Sequence, residues 1–373
     1  RRDLRETAYR AWTARGAGGG ATDTAEIVAE TLRLREERAR LLGHESFAAF
    51  KLEPQMAKTP AAVRELLMAV WGPAKAAADR DAARLAALIA EEGANHPLAK
   101  WDWRHYAEKL RARDHDLDEA TVKPYLQLDQ VVAAAFHVAE RLFGLQFAPL
   151  EAALHHADAR AWEVRRGDRH MGVFIGDWFA RSSKRSGAWC STFRGQEAVE
   201  EEIRPLVLNV CNFAKPPARR PALLTWDDAR TLFHEFGHAL HQLLSDVTYP
   251  SVAGTSVARD FVELPSQLYE HWFATPEILG RFARHAETGE AMPEDLVARL
   301  LAAETFDQGF ATVEYLASAI VDLDLHDGPA PADPMAATAE TLDRIGMPEA
   351  IGMRHATPSG RRGPARHGGR DRR

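Results

Sequence analysis

Two histidines four residues apart, inside an apolar helical pattern, constrain this chain more than any other feature. Residues His234, Glu235, Phe236, Gly237 and His238 form an H-E-x-x-H sequence. On an α-helix, positions i and i+4 lie on the same face, so both imidazoles can bind one metal ion. Glu235 is placed to accept a proton from a water that the metal activates. The motif therefore predicts part of a zinc site with a neighbouring general base.

The sequence around the motif predicts a helix. Thr225 precedes Asp228 by three residues, as in a capping box. Apolar residues follow at helical spacing: Leu232, Phe233, Phe236, Ala239, Leu240, Leu243 and Leu244. If the histidines were ordinary core residues, Gly237 would be unexplained, because glycine costs about 1 kcal/mol relative to alanine inside a helix. A glycine that faces a cleft lets a strand or a substrate backbone approach closely, which favours the metal site.

A catalytic zinc ion needs a third protein ligand and an open position for water. Glu263 is the candidate, in a second helical pattern that runs from Arg259 to Glu270. Gln267 and Glu270 follow Glu263 on the same face, and only one of these polar groups need be a ligand. Asp260, Gln267 and Glu270 are candidates for holding a ligand by hydrogen bonds. A solvated acidic helix face is the alternative that the spacing leaves open.

Two segments carry a resemblance to a known family: HEFGHALH at 234–241 and GTSVARDFVELPSQLYEHW at 254–272. They resemble the thimet oligopeptidase family of zinc metallopeptidases. The resemblance covers most of the chain and is strongest to the peptidyl-dipeptidase branch, on the segments MAKTP (56–60), WDW (101–103), GDWFAR (176–181), GAW (187–189) and NVCNF (209–213). It implies that His234, His238 and Glu263 bind one Zn²⁺ ion and that Glu235 is the catalytic base.

The resemblance also implies a reaction. Family members hydrolyse short peptides, and the peptidyl-dipeptidases release dipeptides from a free C-terminus. Gly187, Ala188 and Trp189 are the candidate substrate-binding residues, although this turn could simply connect two strands. His241 is not a ligand in the family's pattern and is expected to pack within the helix. A site of two histidines and one glutamate could also hold Mn²⁺ or Co²⁺.

Both ends of the chain depart from the family's pattern. Family members carry a further helical region upstream and a downstream segment with a histidine and several tyrosines. After His355 the sequence contains no Tyr, Phe, Trp, Leu, Ile or Val. Residues 356–373 are therefore predicted to be a disordered basic tail. We expect the middle part of a longer enzyme; the alternative is a catalytically inactive helical fragment that binds metal and acts at most as a binding module.

Composition indicates a large folded body. The chain has 373 residues, of which 46% are hydrophobic, and its net charge of −7 argues against a nucleic-acid-binding protein. No apolar run reaches the 18 or so residues of a membrane span. Cys190 and Cys211 are too few for a disulfide framework, so a cytoplasmic location is expected. The predicted partners are short peptides with a free C-terminus, not nucleic acid or membrane, and the chain is expected to be a monomer.

Helical periodicity predicts helices over 23–43, 59–93 with an interruption at Gly72-Pro73, 118–143, and 293–326 with a weak point at Gly309. Strands are predicted at Trp162–Arg165 and Met171–Phe179, as a hairpin, and at Leu206–Phe213. The predicted fold class is mainly α: a helical, zincin-like metallopeptidase body with a small antiparallel β-sheet beside the metal helix. We predict a helical region forming one side of the cleft (1–150), a catalytic zinc-binding region (151–355) and the basic tail (356–373).

Overall fold

The computed structural model describes residues 1–355 and residue 357. Apart from Thr357, the predicted tail lies outside the described residues. The contacts divide the chain into two compact units. The first unit contains Arg1–Asp116 together with the described residues from Ala302 onward, and the second contains Leu117–Leu301. The predicted division at residue 150, which concerned function, stays a prediction.

Helices dominate the described residues, which confirms the predicted fold class. The helices are α1 (Arg2–Thr13), α2 (Ala25–Leu41), α3 (Phe47–Leu52), α4 (Pro60–Glu91), α5 (Trp103–His115), α6 (Glu119–Val122), α7 (Leu128–Phe143), α8 (Trp226–Leu243), α9 (Leu264–Phe273), α10 (Pro276–Phe282), α11 (Glu294–Ala303), α12 (Gln308–His326) and α13 (Pro334–Arg344). The strands are β1 (Leu145–Leu150), β2 (Arg160–Arg166), β3 (Arg169–Phe179), β4 (Trp189–Arg194) and β5 (Leu206–Phe213). No helix in the described part of the chain is long and apolar enough to cross a membrane.

The first unit is built around the packing of α4 against α12. The predicted interruption of α4 at Gly72-Pro73 is wrong, because the helix is unbroken through Pro73 over its full 32 residues. Proline removes one helical hydrogen bond, but the neighbouring Trp71 is buried and its Nε1 donates to the carbonyl of Ile345 at 2.9 Å. Core packing thus outweighs the local preference of the sequence.

Two other long helices that the sequence predicts are divided. The predicted helix over 293–326 consists of α11 and α12, and the break falls just before Gly309, with Asp307 in a left-handed conformation (φ 59°). Gly309 itself lies inside α12, where a Cβ atom would come within 2.4 Å of the backbone nitrogen of Ala78 on α4. The predicted helix over 118–143 is α6 and α7, separated around Pro124 by a 3-10 turn. Proline there ends a helix, unlike Pro73.

The second unit contains a five-stranded sheet in the order β1-β2-β3-β5-β4. The predicted hairpin of β2 and β3 and the predicted strand β5 are confirmed, whereas the sequence did not predict β1 and β4. The sheet is mixed rather than purely antiparallel, because β3 and β5 pair in parallel. Phe174 on β3 lies 5.0 Å, ring centre to ring centre, from Phe236 on α8. One face of the sheet therefore supports the helix that carries the H-E-x-x-H motif.

Candidate metal centre

Helix α8 starts at the capping box that the sequence predicted. The Thr225 hydroxyl accepts a hydrogen bond from the backbone nitrogen of Asp228 at 2.9 Å, and the Asp228 carboxylate accepts one from the Thr225 nitrogen at 3.1 Å. Its apolar residues are buried, including Leu232, Phe233 and Phe236. The capped start of α8 and its buried apolar face together determine the direction in which His234 and His238 point.

Gly237 allows α9 to approach α8 closely. A Cβ atom on Gly237 would lie 2.6 Å from the Cα atom of Ser266 and 2.9 Å from the carbonyl oxygen of Pro265, both on α9. The expectation that a strand or a substrate approaches this glycine is therefore wrong, since the neighbour is a helix. Glu263 is the N-cap residue of α9 rather than part of the predicted helix interior. The close approach of the two helices brings Glu263 to the histidines.

The side chains of His234, His238 and Glu263 converge on one point. Glu263 Oε2 lies 3.2 Å from His234 Nε2 and 3.1 Å from His238 Nε2, and the three possible ligand atoms lie within 4.8 Å of one another. Four ligands at about 2.0–2.1 Å from a tetrahedral zinc ion are about 3.3 Å apart, so this donor set fits Zn²⁺. The His238 side chain is 3% exposed and that of Glu263 is 41% exposed, so the site opens on the Glu263 side.

Glu270 holds His234 from the other side of the ring. Its Oε1 lies 2.6 Å from His234 Nδ1, and Arg230 Nε donates to its Oε2 at 2.5 Å. Burial alone would raise the pKa of Glu270, but the hydrogen bonds from His234 and Arg230 outweigh burial and lower it. A charged Glu270 keeps the Nδ1 proton in place, which leaves Nε2 of His234 available as a ligand atom.

The other two residues predicted to hold a ligand, Asp260 and Gln267, are both exposed, and their role stays a prediction. Asp260 is exposed in the turn before α9, and the Gln267 side chain is exposed on α9 with no hydrogen bond to another described residue. The hydroxyl of Ser266, which was not among the predicted site residues, lies within hydrogen-bond distance of two acceptors, the Glu263 carbonyl at 2.8 Å and Glu263 Oε2 at 3.1 Å, and its one proton can serve either. A serine three residues after a helix-capping glutamate was the available signal for this contact.

The carboxyl group of Glu235 is buried, and its pKa is raised. It is 7% exposed. Burial raises its pKa, the charge of Glu263 adds to the increase, the charge of His234 opposes it, and the result is a pKa of about 7. His241, further along α8, is half-buried near Phe261, as expected of a helix-packing histidine. The arrangement provides one buried carboxyl beside a possible metal site.

The GAW turn leads into the edge strand of the sheet. Gly187 has a φ of 91°, and the Asn212 side chain donates to its carbonyl at 2.6 Å and to that of Arg185 at 2.7 Å. Trp189 begins β4, which is the last strand of the sheet and packs against α8. The three residues predicted to bind substrate thus precede or begin a strand with one unpaired edge beside the candidate metal centre.

The sequence matches the family model described as "Peptidase family M3" over residues 1–358. It is 41% identical to a dipeptidyl carboxypeptidase of Salmonella typhimurium over 87% of this chain and 48% of that protein. A dipeptidyl carboxypeptidase of Escherichia coli is 39% identical over the same shares. An oligopeptidase A of Escherichia coli is 34% identical over 92% of this chain and 52% of that protein.

The chain spans about half the length of these relatives. The family resemblance read from the H-E-x-x-H motif and its neighbouring segments is confirmed by the match over nearly all of the chain. The matched residues include both helices of the candidate metal centre and the sheet beside it. The chain belongs to peptidase family M3.

Proposed function

We propose that this protein is a zinc-dependent peptidase that hydrolyses short peptides and releases dipeptides from a free C-terminus. The convergence of His234 Nε2, His238 Nε2 and Glu263 Oε2 beside the buried Glu235 carries the proposal. Membership of peptidase family M3 supports peptide hydrolysis, and two relatives named dipeptidyl carboxypeptidase support the type of product.

In the proposed reaction, the metal ion and the side chains have separate roles. A zinc ion held by His234, His238 and Glu263 would polarise the scissile carbonyl and lower the pKa of the attacking water. Glu235 accepts the proton of that water and passes it to the leaving amine. In the metal-free protein, burial raises the pKa of Glu235 to about 7, which makes its carboxylate a stronger base than that of an exposed glutamate. Glu270 keeps the His234 ring in its orientation throughout.

Strand β4 supports a binding mode for an extended peptide. Its outer edge carries backbone donors and acceptors that pair with no other strand among the described residues. A peptide that adds to this edge is held by main-chain hydrogen bonds and therefore independently of its side chains. Residues 187–189 lie where such a peptide passes from the loop onto the strand. The proposed partners are accordingly short peptides, and the cytoplasmic location and the monomeric state stay predictions.

The test combines metal content with activity. The purified chain is assayed for bound zinc and for dipeptide release from a short peptide with a free C-terminus, alongside Glu235→Gln. We expect about one zinc ion per chain in both proteins and a loss of activity of roughly 10²–10⁴ in the variant, the usual contribution of general acid–base catalysis. Equal activity of the two proteins would sink the proposed chemistry, and zinc without any activity would favour the inactive metal-binding fragment.

A further inference from the structure

The fully buried side chain of Asn209 has no hydrogen-bond partner within the described part of the chain. Asn209 lies in β5 and is 0% exposed. Both polar atoms of its side chain, Nδ2 and Oδ1, are buried and lack a hydrogen-bond partner among the described residues. A buried polar group left unsatisfied costs about 1–3 kcal/mol, so such an amide calls for an explanation. Leucine would fill the same place without that cost.

Asn209 faces α8. Val207 pairs with Phe174 across the parallel ladder, and the Phe174 ring contacts Phe236 of α8. Side chains two residues apart on a strand point to the same side of a sheet. Asn209 therefore points to the side on which α8 packs, whereas Leu208 packs on the other side, against Ile175.

A second unsatisfied group lies beside the first. Gly176 is the ladder partner of Asn209, and a Cβ atom on Gly176 would be 2.1 Å from Cζ2 and 2.5 Å from Cε2 of Trp178. The indole ring therefore lies across Gly176, next to Asn209. Trp178 is 1% exposed, and its Nε1 donor, bonded to Cε2, also has no hydrogen-bond partner among the described residues. A buried donor and a buried amide thus adjoin under α8.

Helix α8, which carries the buried Glu235, packs on β5, the strand of Asn209, and on its neighbours β3 and β4. Cys190 is the partner of Asn209 on β4, and Cys211 follows Asn209 by two residues on β5. Burial raises the pKa of both thiols, and the charge of Glu235 raises each further, which agrees with the packing of α8 on these strands. The Glu235 side chain makes no hydrogen bond to another described residue, although α8 packs on both strands.

We propose that Asn209 and Trp178 bind one buried water molecule that hydrogen-bonds to Glu235 from the sheet side, so that Asn209 is a positioning residue for the base. The water accepts hydrogen bonds from Trp178 Nε1 and Asn209 Nδ2 and donates to one Glu235 oxygen, which gives each of the two buried donors a partner. The other oxygen is then directed to the reacting water. This role rests on the proposed function of Glu235, but the water site itself does not.

A high-resolution crystal structure of the zinc-loaded protein tests the water site without an activity measurement. We expect one ordered water within about 3.2 Å of Asn209 Nδ2, Trp178 Nε1 and a Glu235 oxygen. No ordered water at this place would overturn the inference even if the protein were an active peptidase. The water present in a protein without peptidase activity would leave the site standing and remove the proposed function.

A double-mutant cycle tests the positioning role. Asn209→Leu and Trp178→Phe are each expected to lower kcat roughly 10-fold, the scale of one hydrogen bond to a charged group, with KM and zinc content unchanged. Because both residues act through one water, the double variant is expected to lose no more than about 10-fold in total. Losses that multiply to about 100-fold, or a change confined to KM, would contradict the proposal.

Cys211→Ala is the matched control for these variants. It changes a fully buried side chain on the same strand and the same face but removes no group from the water site. We expect its kcat to stay within about twofold of the parent chain, since loss of a small apolar contact alters packing more than proton transfer. A drop in Cys211→Ala as large as that in Trp178→Phe would show that kcat responds to packing under α8 and would overturn the positioning role.

Discussion

Glu270 contacts His234 through the ring nitrogen that does not face Glu263, and this contact sets the metal affinity we expect. Replacing Glu270 by Gln removes the charge that holds the Nδ1 proton while keeping the shape of the side chain. Loss of such a contact typically costs 10–100-fold in metal affinity. We predict that Glu270→Gln weakens zinc binding by roughly this factor, measured by competition with a chelator.

Glu277→Gln is the control for that measurement. It removes an exposed carboxylate of the same unit that pairs with Arg141. Its zinc affinity should equal that of the parent chain. If both variants bound zinc equally tightly, Glu270 would have no part in holding the ligand.

Asp307 is a residue whose charge opposes folding. Burial raises its pKa to about 6, although the hydrogen bond from Trp103 Nε1 acts in the opposite direction. An aspartate in the unfolded chain has a pKa of about 3.9, so the folded protein binds the proton more tightly and loses stability as the pH rises from about 4 to 6. Above pH 6 the full cost remains.

We therefore predict that Asp307→Asn stabilises the protein by about 1 kcal/mol at pH 7.5 and by less at pH 5. Asparagine can still accept from Trp103 and tolerates the left-handed conformation at this position. Urea unfolding at the two pH values measures the difference. A variant that is less stable at pH 7.5 would show that the carboxylate stabilises the start of α12 instead.

At the scale of elements, the contact between α8 and α9 decides whether the three ligand atoms meet. A methyl group on Gly237 would strike the backbone of Ser266 and Pro265, so the helices would have to separate. We predict that Gly237→Ala destabilises the protein by about 1–3 kcal/mol, despite the higher helix propensity of alanine, and that zinc binding weakens as Glu263 moves away. Thermal unfolding with and without zinc measures both effects.

Gly280→Ala provides the opposite case in α10. A Cβ atom there meets no atom within 4 Å. With open space around it, alanine should stabilise the helix by roughly 0.5–1 kcal/mol. Similar losses of stability in the two variants would mean that the close approach at Gly237 is not what matters.

The elements that could be predicted are those whose own sequence contains the signal. Helix α8 has its capping box and its apolar spacing, and β5 is rich in the branched and aromatic residues that favour strands, despite Asn209 and Asn212. Strand β4, with Cys190, Ser191 and Thr192 in sequence, lacks a clear alternation and is ordered by pairing with β5. Strand β1 contains Pro149, which argues against a strand unless it lies at an edge, as β1 does.

In the candidate site, too, some residues could be predicted from local sequence and others depend on tertiary packing. Helical spacing places His234 and His238 on one face, and that part required no tertiary information. The helical pattern made Glu263 a candidate and the resemblance selected it as a ligand, but its approach to the two histidines depends on how closely two helices pack. The unsatisfied Asn209 could not be foreseen, because burial of both amide atoms is a property of the packed sheet.

At the scale of the whole molecule, each compact unit contains a buried aspartate held by cations. Asp102 in the first unit accepts hydrogen bonds from Arg2 and Arg5. Asp177 in the second unit is bound in the same way, by Arg181, Lys184 and His155. Burial would raise both pKa values, but the basic partners outweigh it and hold the pKa of each aspartate below its ordinary value.

Acid should therefore weaken both units. Because these folded-state pKa values are depressed, the stabilisation is complete above the unfolded pKa of about 3.9 and is lost as the pH falls through the folded-state values. We predict little change attributable to these groups between pH 7 and 5 and a loss of stability at lower pH, on the order of 2 kcal/mol for Asp177. Thermal unfolding across this pH range measures the loss. Asp177→Asn should be less stable at pH 7 but lose less below pH 4; an equally steep acid transition would contradict this assignment.

The first unit is assembled from two stretches of chain that are separated by the whole second unit. During synthesis from the N-terminus, α4 leaves the ribosome with its buried face, including Trp71 and Leu85, long before its partner α12 exists. The described part of the second unit is one continuous stretch and contains all three candidate ligand residues, so it can fold while the first unit is still incomplete. The proposed zinc site can thus form in a nascent chain whose earlier helices, α4 among them, still need protection from aggregation.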